Sequence, residues 1–257
     1  MFAVRKNLSS IAAIALMLVA GQSQAGKGTR PPVVQALEAQ GLMVMQEFDV
    51  GGGLRAFAGT AGDRPVAVYV TSDGNAIVGT RLDAKGTPLD RLTLRDLVEK
   101  PMGEKTWVQL ESAAWVQDGK PDAPRIIYAF SDANCPYCHQ FWEAARPWVD
   151  AGKVQLRHLL VGVIRADSPA KAAAILGAPD PSAALAENEH KFDQGGIKPA
   201  NSVPDDVLQI LEDNHMLMIS AGFRGTPGIV VREGDGSVKK FNGMPQGAQL
   251  AEVLGPR

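Results

Sequence analysis

The first apolar segment of the chain is short and lies close to the N-terminus. Arg5 and Lys6 precede an apolar run from Ile11 to Ala20, and the small-x-small sequence Ser23-Gln24-Ala25 follows that run. A membrane-spanning helix needs roughly 20 apolar residues, so this run is too short to cross a bilayer. The pattern predicts that residues 1–25 are a cleaved secretory signal peptide, and an uncleaved membrane anchor is the alternative.

Short apolar runs separated by glycine-rich turns follow the predicted cleavage site. The pattern predicts a helix over 32–40 and strands over 43–50, 54–60, 66–71 and 76–82. Asp73-Gly74 between the last two strands is a hairpin signal. A helix with a small antiparallel sheet buries little of its own surface and often needs a partner, so residues 26–86 are predicted to form a small separate domain.

A helical spacing of leucines marks the next segment. Leu92, Leu94 and Leu97 lie roughly at helical intervals, and Pro101 is expected to end the helix. We predict a linker helix within residues 87–104. The alternative is a helix packed inside one continuous domain.

The second half of the chain alternates strand and helix patterns before a hairpin and a last helix. The predicted elements are strands over 125–130, 153–164, 226–232 and 237–241, and helices over 138–151, 168–177, 182–194, 205–221 and 246–254. This order predicts an α+β protein whose residues 105–257 form a thioredoxin-like domain, with a helical insertion at about 166–221.

Both cysteines of the chain lie in one stretch, FSDANCPYCHQFW, where a predicted strand meets a predicted helix. Cys135 is expected at the helix N-terminus, where unpaired backbone amides and the helix dipole stabilise a thiolate. Pro136 suits the first helical position because its missing N–H would be unpaired there. Cys138 lies one turn deeper on the same face, so Cys135 is predicted to attack a substrate sulfur and Cys138 to resolve the mixed disulfide.

Three other interpretations of the cysteine pair remain open. A structural disulfide closing so short a loop would contribute only about 2 kcal/mol to stability. Zinc needs four ligands, and no second pair of ligands stands at metal-binding spacing. The candidates for that pair are His139, His158, His190 and His215. The pattern C-x-x-C-H also fits covalent haem attachment, with His139 as axial ligand and a methionine as the second, but the preceding strand favours a redox dithiol. His139 would then be a solvent-facing residue of the helix.

Thr226-Pro227 stands immediately before a predicted strand. A tight turn with a cis X-Pro bond fits this position, although an ordinary proline at the start of a strand is the alternative. In a thioredoxin-like fold this loop lies beside the dithiol, and the residue before the proline offers its backbone to an extended substrate.

Charge and cysteine count narrow the functional classes further. The chain has 26 basic and 28 acidic side chains, so it lacks the basic excess of a nucleic-acid-binding protein. An export signal implies an oxidising compartment, where disulfides persist. A chain of 257 residues with only two cysteines does not depend on disulfides to fold, which favours a chemical role for the pair.

Several stretches of the sequence resemble the DsbC/DsbG family of periplasmic disulfide isomerases. They are FSDANCPYCHQFW at 130–142, ARPWVDAGKVQLR from Ala145, LVGVI from Leu160, SPAKAAAIL from Ser168, GTP from Gly225 and NGMP from Asn242. The resemblance is strong from Arg125 to Arg257 and holds only as a pattern before Lys105. It implies a cystatin-like dimerisation domain, a linker helix and a thioredoxin-fold catalytic domain, assembled into a V-shaped homodimer.

The same resemblance implies partners and site residues. Members of the family are kept reduced by the membrane protein DsbD and are linked to reducing disulfides and sulfenic acids of exported proteins. It assigns the nucleophile to Cys135, the resolving thiol to Cys138 and the cis-proline loop to Thr226-Pro227. The predicted substrate-binding residues are Pro136, Tyr137, Thr226 and Pro227.

The leading hypothesis is a periplasmic thiol–disulfide oxidoreductase that reduces or isomerises disulfides and reduces sulfenic acids in exported proteins. It requires no metal and no organic cofactor. One alternative is a dimeric chaperone of the holdase type, in which the dithiol is secondary. The other is an electron carrier with covalent c-type haem.

Overall fold

The computed structural model describes residues 29–256, so the predicted signal peptide, residues 1–25, lies outside the described part of the chain. These residues form a four-stranded sheet near the N-terminus and a five-stranded sheet in the second half. Within the described range, no helix is both long enough and apolar enough to cross a membrane.

The N-terminal unit is one helix packed on an antiparallel sheet. The helix is α1 Pro32–Ala39, and the strands, which pair in sequential order, are β1 Leu42–Phe48, β2 Arg55–Ala61, β3 Arg64–Val70 and β4 Ala76–Val78. Val34 of α1 is buried in a cluster with Val44, Phe57 and Val68 of the first three strands. The predicted helix and four strands are confirmed, although β4 ends at Val78 and the pattern predicted it to reach Leu82.

A long helical stretch connects the two sheets. It consists of α2 Arg91–Leu94, a π-helical segment Arg95–Glu99 and α3 Lys100–Ser112. The prediction that Pro101 ends this helix is wrong. Pro101 stands at the start of the α3 segment, where a missing amide is tolerated, and the wider π turn before it leaves room for the proline ring.

The five-stranded sheet forms the centre of the second half. Its strands lie in the order β5-β7-β6-β8-β9, with β6 and β7 parallel and the other neighbouring pairs antiparallel. They are β5 Val116–Asp118, β6 Arg125–Ser131, β7 Val154–Leu160, β8 Gly228–Arg232 and β9 Val238–Asn242. Strand β5 was not predicted, because three residues are too few to show a periodic pattern.

Helices cover both faces of this sheet. The helix α4 Pro136–Val149 and the last helix, α8 Ala248–Leu254, bury side chains against one face. On the other face Trp107 and Leu110 of α3 pack with Tyr128 and Phe130 of β6. This arrangement is the thioredoxin-like architecture that the sequence predicts.

A group of helices is inserted between β7 and β8. It contains α5 Ser168–Leu176, α6 Pro181–His190, a 3-10 turn Phe192–Gln194 and α7 Asp205–Ser220. Ile175, Leu185 and Leu211 contribute to a core of its own, which also includes Ala133 from the loop before the first cysteine. The predicted helical insertion is present, and it packs directly against the segment that carries the dithiol.

Candidate active site

Cys135 occupies the N-cap position of α4. Strand β6 ends at Ser131, and Cys135 has extended backbone angles of φ −84° and ψ 114° before the helix begins at Pro136. The backbone amide of Cys138 donates to the Cys135 sulfur at 3.4 Å. A sulfur at this position faces amides that the helix leaves unpaired, which favours its ionised form.

The pKa values of the two thiols are shifted in opposite directions. A hydrogen bond from the Cys138 thiol lowers the pKa of Cys135 to about 6, with further contributions from the Thr226 hydroxyl and from the amides of Cys138 and Tyr137, while burial opposes the shift. Burial raises the pKa of Cys138 well above its ordinary value, and the negative charge on Cys135 raises it further. At neutral pH the site therefore presents one thiolate and one protonated, buried thiol.

The Thr226-Pro227 loop lies against the same sulfur atoms. Its peptide bond is cis, as the family resemblance implied, whereas the sequence alone favoured an ordinary proline at the start of a strand. The carbonyl oxygen of Thr226 lies 3.4 Å from the Cys135 sulfur. The structure thus brings Cys135, Cys138 and Thr226 together from positions about ninety residues apart.

Pro136 and Tyr137 form the exposed rim beside the buried sulfurs. Pro136 is exposed, and 57% of Tyr137 is accessible to solvent. Val163 and Ile164, from the loop after β7, are also exposed, and their amides bind Asp132, three residues before Cys135. An apolar surface therefore borders the dithiol on the side of the insertion.

A buried carboxylate holds the loop that precedes the cysteines. The two oxygens of Asp132 accept four hydrogen bonds, from the amides of Asn134, Val163 and Ile164 and from the hydroxyl of Ser168. Ser168 is fully buried at the start of α5. Asp132 therefore ties the active-site loop both to the loop after β7 and to the helical insertion.

Lys171 adds a buried cation to this network. Its ammonium group donates to the side-chain oxygen of Asn134 and to the carbonyl oxygen of Gly195, each at 2.6 Å. Asn134 also donates to Ser168 at 2.9 Å. Sequence reasoning missed this cluster, because the loop that carries Asn134 and the helix that carries Ser168 and Lys171 are more than thirty residues apart and no local spacing relates them.

His139 has a different environment from the one predicted. Its Nδ1 lies 2.9 Å from a carboxylate oxygen of Glu189, and its ring stacks on Phe192 at 4.4 Å between centroids. The prediction of a solvent-facing histidine is therefore wrong: the insertion covers the ring and engages the nitrogen nearest to it. In residues 29–256 no three His, Cys, Asp or Glu side chains form a group that could hold a metal ion.

Comparisons with known proteins agree with this geometry. A family model described as Thioredoxin matches residues 114–214. The chain is 42% identical over 253 residues to the thiol:disulfide interchange protein DsbG of Pseudomonas aeruginosa, with 98% of each chain covered. It is 40% identical over 230 residues to DsbG of Escherichia coli, with 88% of this chain and 91% of the relative covered.

A solved structure supports the fold independently. The catalytic domain of Proteus mirabilis ScsC is 21% identical, with a TM-score of 0.50, and the match covers 60% of this chain and 96% of that chain. Identity of at least 40% over nearly the whole length to two DsbG proteins establishes the closer relationship. The chain belongs to the DsbG family of thiol:disulfide interchange proteins.

Proposed function

We propose that this protein reduces or isomerises disulfides in exported proteins, and also reduces cysteine sulfenic acids, through Cys135 and Cys138. The observation that carries the proposal is the contrast between the two thiols. The pKa of Cys135 is lowered to about 6, whereas burial raises that of Cys138. One sulfur is thus ready to attack, and the other stays protonated until a mixed disulfide has formed.

The chemistry follows from these two sulfurs alone. The Cys135 thiolate attacks one sulfur of a substrate disulfide and forms a mixed disulfide, while the other substrate sulfur leaves as a thiolate. Cys138 then loses its proton and attacks Cys135, which releases the substrate thiolate and leaves a Cys135–Cys138 disulfide. With a sulfenic acid, the first attack displaces hydroxide, which takes up a proton to become water. No metal or organic cofactor takes part.

Isomerisation uses the same first step. If the released substrate thiolate attacks another disulfide of its own chain before Cys138 acts, a new substrate disulfide forms and a different substrate thiolate is released. That thiolate then attacks the substrate sulfur bonded to Cys135, which closes a second new disulfide and expels Cys135 as a thiolate. The cis loop supports this role, because the Thr226 carbonyl oxygen lies beside the attacking sulfur and can accept a backbone amide of an extended substrate. Pro136, Tyr137 and Pro227 are the neighbouring residues that we expect such a substrate to contact.

The cellular location and the oligomeric state of the protein belong to the same proposal. We infer export to the periplasm with removal of residues 1–25, a homodimer formed through residues 26–86, a linker helix at 87–104 and a catalytic domain at 105–257. The membrane protein DsbD is the expected electron donor. The sequence supports the export, and the position of β1 at the edge of the sheet formed by the described residues supports pairing of two copies.

Trapping of mixed disulfides tests the proposal. A Cys138→Ala variant expressed in the periplasm should accumulate covalent adducts with exported proteins and with the electron donor, because the resolving thiol is absent. Mass spectrometry of the adducts would identify both, and a Cys135→Ala variant is the matched control that should trap none. A Cys138→Ala variant that carries no adducts would contradict the proposed nucleophile.

The exposed apolar rim favours one second function. Tyr137, Val163 and Ile164 could hold unfolded segments without any thiol chemistry, as a holdase does. The variant with both cysteines replaced by alanine separates the two functions. We expect it to lose activity on the natural substrates, and retention of that activity would favour the holdase.

A further inference from the structure

A tight turn leads from strand β6 into the nucleophile. The backbone amide of Cys135 donates to the carbonyl oxygen of Asp132 at 3.0 Å, which closes a turn with Ala133 and Asn134 at its centre. Strand β6 ends before this turn and α4 begins after it. The three residues before the cysteine are nevertheless buried, each being 4% exposed or less. The position of the Cys135 sulfur therefore depends on the side chains that pack around the turn.

The helical insertion supplies hydrogen-bond partners to each of those three residues. The partners are Ser168 for Asp132, Asn188 for the carbonyl oxygen of Ala133, and Lys171 for Asn134. The contact between Lys171 and Asn134 involves a charged donor, and hydrogen bonds from charged donors are roughly twice as strong as neutral ones. This contact also acts on the residue that directly precedes the nucleophile.

Lys171 determines which way the amide of Asn134 points. Lys171 is 5% exposed, which is rare for a lysine. Its ammonium group donates to the side-chain oxygen of Asn134 and to the carbonyl oxygen of Gly195, each at 2.6 Å, and a carboxylate oxygen of Asp167 lies 3.7 Å away. An ammonium group can only donate, so it keeps Oδ1 of Asn134 on its own side. The Nδ2 atom of Asn134 then donates to Ser168 at 2.9 Å and to Asp167 at 3.0 Å.

The orientation of Asn134 is linked to the contacts of the sulfur. Asn134 is joined to Cys135 by one peptide bond, and its own backbone amide donates to Asp132 within the turn. Hydrogen bonds from the Cys138 thiol, the Thr226 hydroxyl and the Cys138 amide lower the pKa of Cys135 to about 6. All of them require the sulfur to stay at the N-cap of α4, where it lies 3.4 Å from the Cys138 amide nitrogen. A turn that rotates would weaken these contacts together.

We infer that Lys171 is a positioning residue for the nucleophile: by fixing the side chain of Asn134, it holds the turn that keeps the Cys135 sulfur at the N-cap of α4. The insertion thus takes part in the reaction through the residue before the nucleophile. This inference rests on the proposed function, because it concerns the thiolate that begins that reaction.

Removal of the ammonium group tests the inference. Lys171→Met keeps a long unbranched side chain without the charge. The ultraviolet thiolate absorbance of the reduced protein, followed against pH, should place the Cys135 midpoint about one pH unit above that of the wild type, the size expected for loss of about one hydrogen bond to the thiolate. At about pH 5 the reaction of Cys135 with dithiobis(nitrobenzoate) should be about threefold slower, because a tenfold loss of thiolate is partly offset by the greater nucleophilicity of a more basic sulfur.

A second lysine of the insertion provides the matched control. Lys191 forms an ion pair with Glu187 at 2.6 Å, and its side chain is 53% exposed. Lys191→Met makes the same chemical change on the surface of the insertion. Its thiolate midpoint and its rate with dithiobis(nitrobenzoate) should equal those of the wild type.

A double-variant cycle tests the path through Asn134. Asn134→Ala removes the acceptor and should raise the Cys135 midpoint by about as much as Lys171→Met does. The double variant should show no further increase, because both changes break the same link. Additive shifts would show that Lys171 acts on the sulfur independently of Asn134, as a charge does through space, and would overturn the inference.

The remaining outcomes separate this inference from the proposed function. A wild-type midpoint and a wild-type rate in folded Lys171→Met would overturn the inference and leave the proposed function standing. If Lys171→Met does not fold, judged by its circular dichroism, Asn134→Ala decides alone, and a wild-type midpoint in that variant would overturn the inference equally. A Cys135 that titrates as an ordinary thiol in the wild type would instead contradict the proposed function.

Discussion

The acidity of Cys135 depends mainly on its partner in the motif. The hydrogen bond from the Cys138 thiol is the largest cause of the lowered pKa, ahead of the contribution from Thr226. Cys138→Ala removes this donor and should raise the pKa of Cys135 from about 6 toward that of an ordinary thiol. Thiolate absorbance in the ultraviolet, followed against pH, measures the change.

A conservative replacement provides the control for that prediction. Cys138→Ser keeps a donor at the same position, so the pKa of Cys135 should stay low in this variant. Equal thiol pKa values in Cys138→Ala and Cys138→Ser would show that the helix N-terminus and the cis loop, and not the second thiol, ionise Cys135.

The same lowered pKa makes the stability of the reduced protein depend on pH. The pKa of Cys135 falls from 9.0 to about 6 on folding, so the folded form loses this proton first. The contribution of Cys135 to the free energy of unfolding is complete above its pKa in the unfolded chain. It is lost as the pH falls through its pKa in the folded protein. Between about pH 6 and 9 the free energy of unfolding should therefore rise with pH by up to about 1.4 kcal/mol per unit.

The oxidised protein is the internal reference for this measurement. It has no thiol to titrate, so the difference in urea unfolding between reduced and oxidised protein isolates the contribution of the cysteines. Burial of Cys138 works in the opposite direction only above the ordinary thiol pKa, where its folded form keeps a proton that the unfolded chain loses. A difference that stays flat from pH 6 to 8 would show that Cys135 is not acidified.

The dithiol was predictable from the sequence, whereas the buried polar residues that hold the active-site loop were not. Cys135, Pro136 and Cys138 lie within four consecutive residues, at the point where a strand pattern gives way to a helix pattern, so local pattern alone sets their positions. Asp132, Ser168 and Lys171 meet only because the insertion folds back onto the active-site loop. A polar residue in a sequence has no feature that shows whether it will be buried, so these contacts required the structure.

At the scale of elements, Asp132 joins three segments of the chain. It binds the amides of its own loop, of the loop after β7 and, through Ser168, the start of α5. Asp132→Asn replaces one acceptor oxygen by an amide NH₂ group. This group is itself a donor and would face the backbone amides or the Ser168 hydroxyl that now donate to that oxygen. We expect a loss of about 3 kcal/mol in the free energy of unfolding, measured by urea denaturation.

An exposed aspartate tests whether this cost is specific. Asp122→Asn makes the same chemical change in an exposed turn before β6 and should alter stability by less than about 0.5 kcal/mol. Equal stabilities for the two variants would mean that the hydrogen bonds to Asp132 do not hold the insertion in place.

The limits of prediction also differ between elements. The parallel pair β6 and β7 and the insertion helices were predictable because each is long enough to show its hydrophobic period. The continuation of the linker helix through Pro101 was not, because it depends on the π-helical turn of Arg95–Glu99, which no hydrophobic spacing reveals. Strand β5 exists only because it pairs with β7.

At the scale of the whole molecule, the proposed homodimer makes a testable demand on the N-terminal sheet. Strand β1 is an edge of the four-stranded sheet, so one side of its backbone has no partner strand among residues 29–256. Its residue Met43 is 66% exposed, an unusual state for a large apolar side chain on such an edge. We expect this edge to lie in the dimer interface proposed for residues 26–86.

A single charge at that edge should separate the two copies. Met43→Lys places an ammonium group where a second strand would pack, and lysine is a residue that proteins use to block strand pairing. Analytical ultracentrifugation should find a dimer for the wild type and a monomer for Met43→Lys. Met216→Lys, which changes a methionine that is 54% exposed on α7, should remain a dimer.

Dissociation of the dimer should change the redox state of the dithiol in cells without changing the acidity of Cys135. Cys135 lies in the other half of the molecule, so Met43→Lys should keep its thiolate pKa. In the periplasm, however, the monomer should be found with its cysteines oxidised, because a dimer can shield the dithiol from the machinery that oxidises exported proteins and a monomer cannot. Acid quenching followed by alkylation with a mass-shifting reagent measures that state. A monomeric Met43→Lys protein that stays reduced in cells would show that the redox state is set by the electron donor and not by the shape of the dimer.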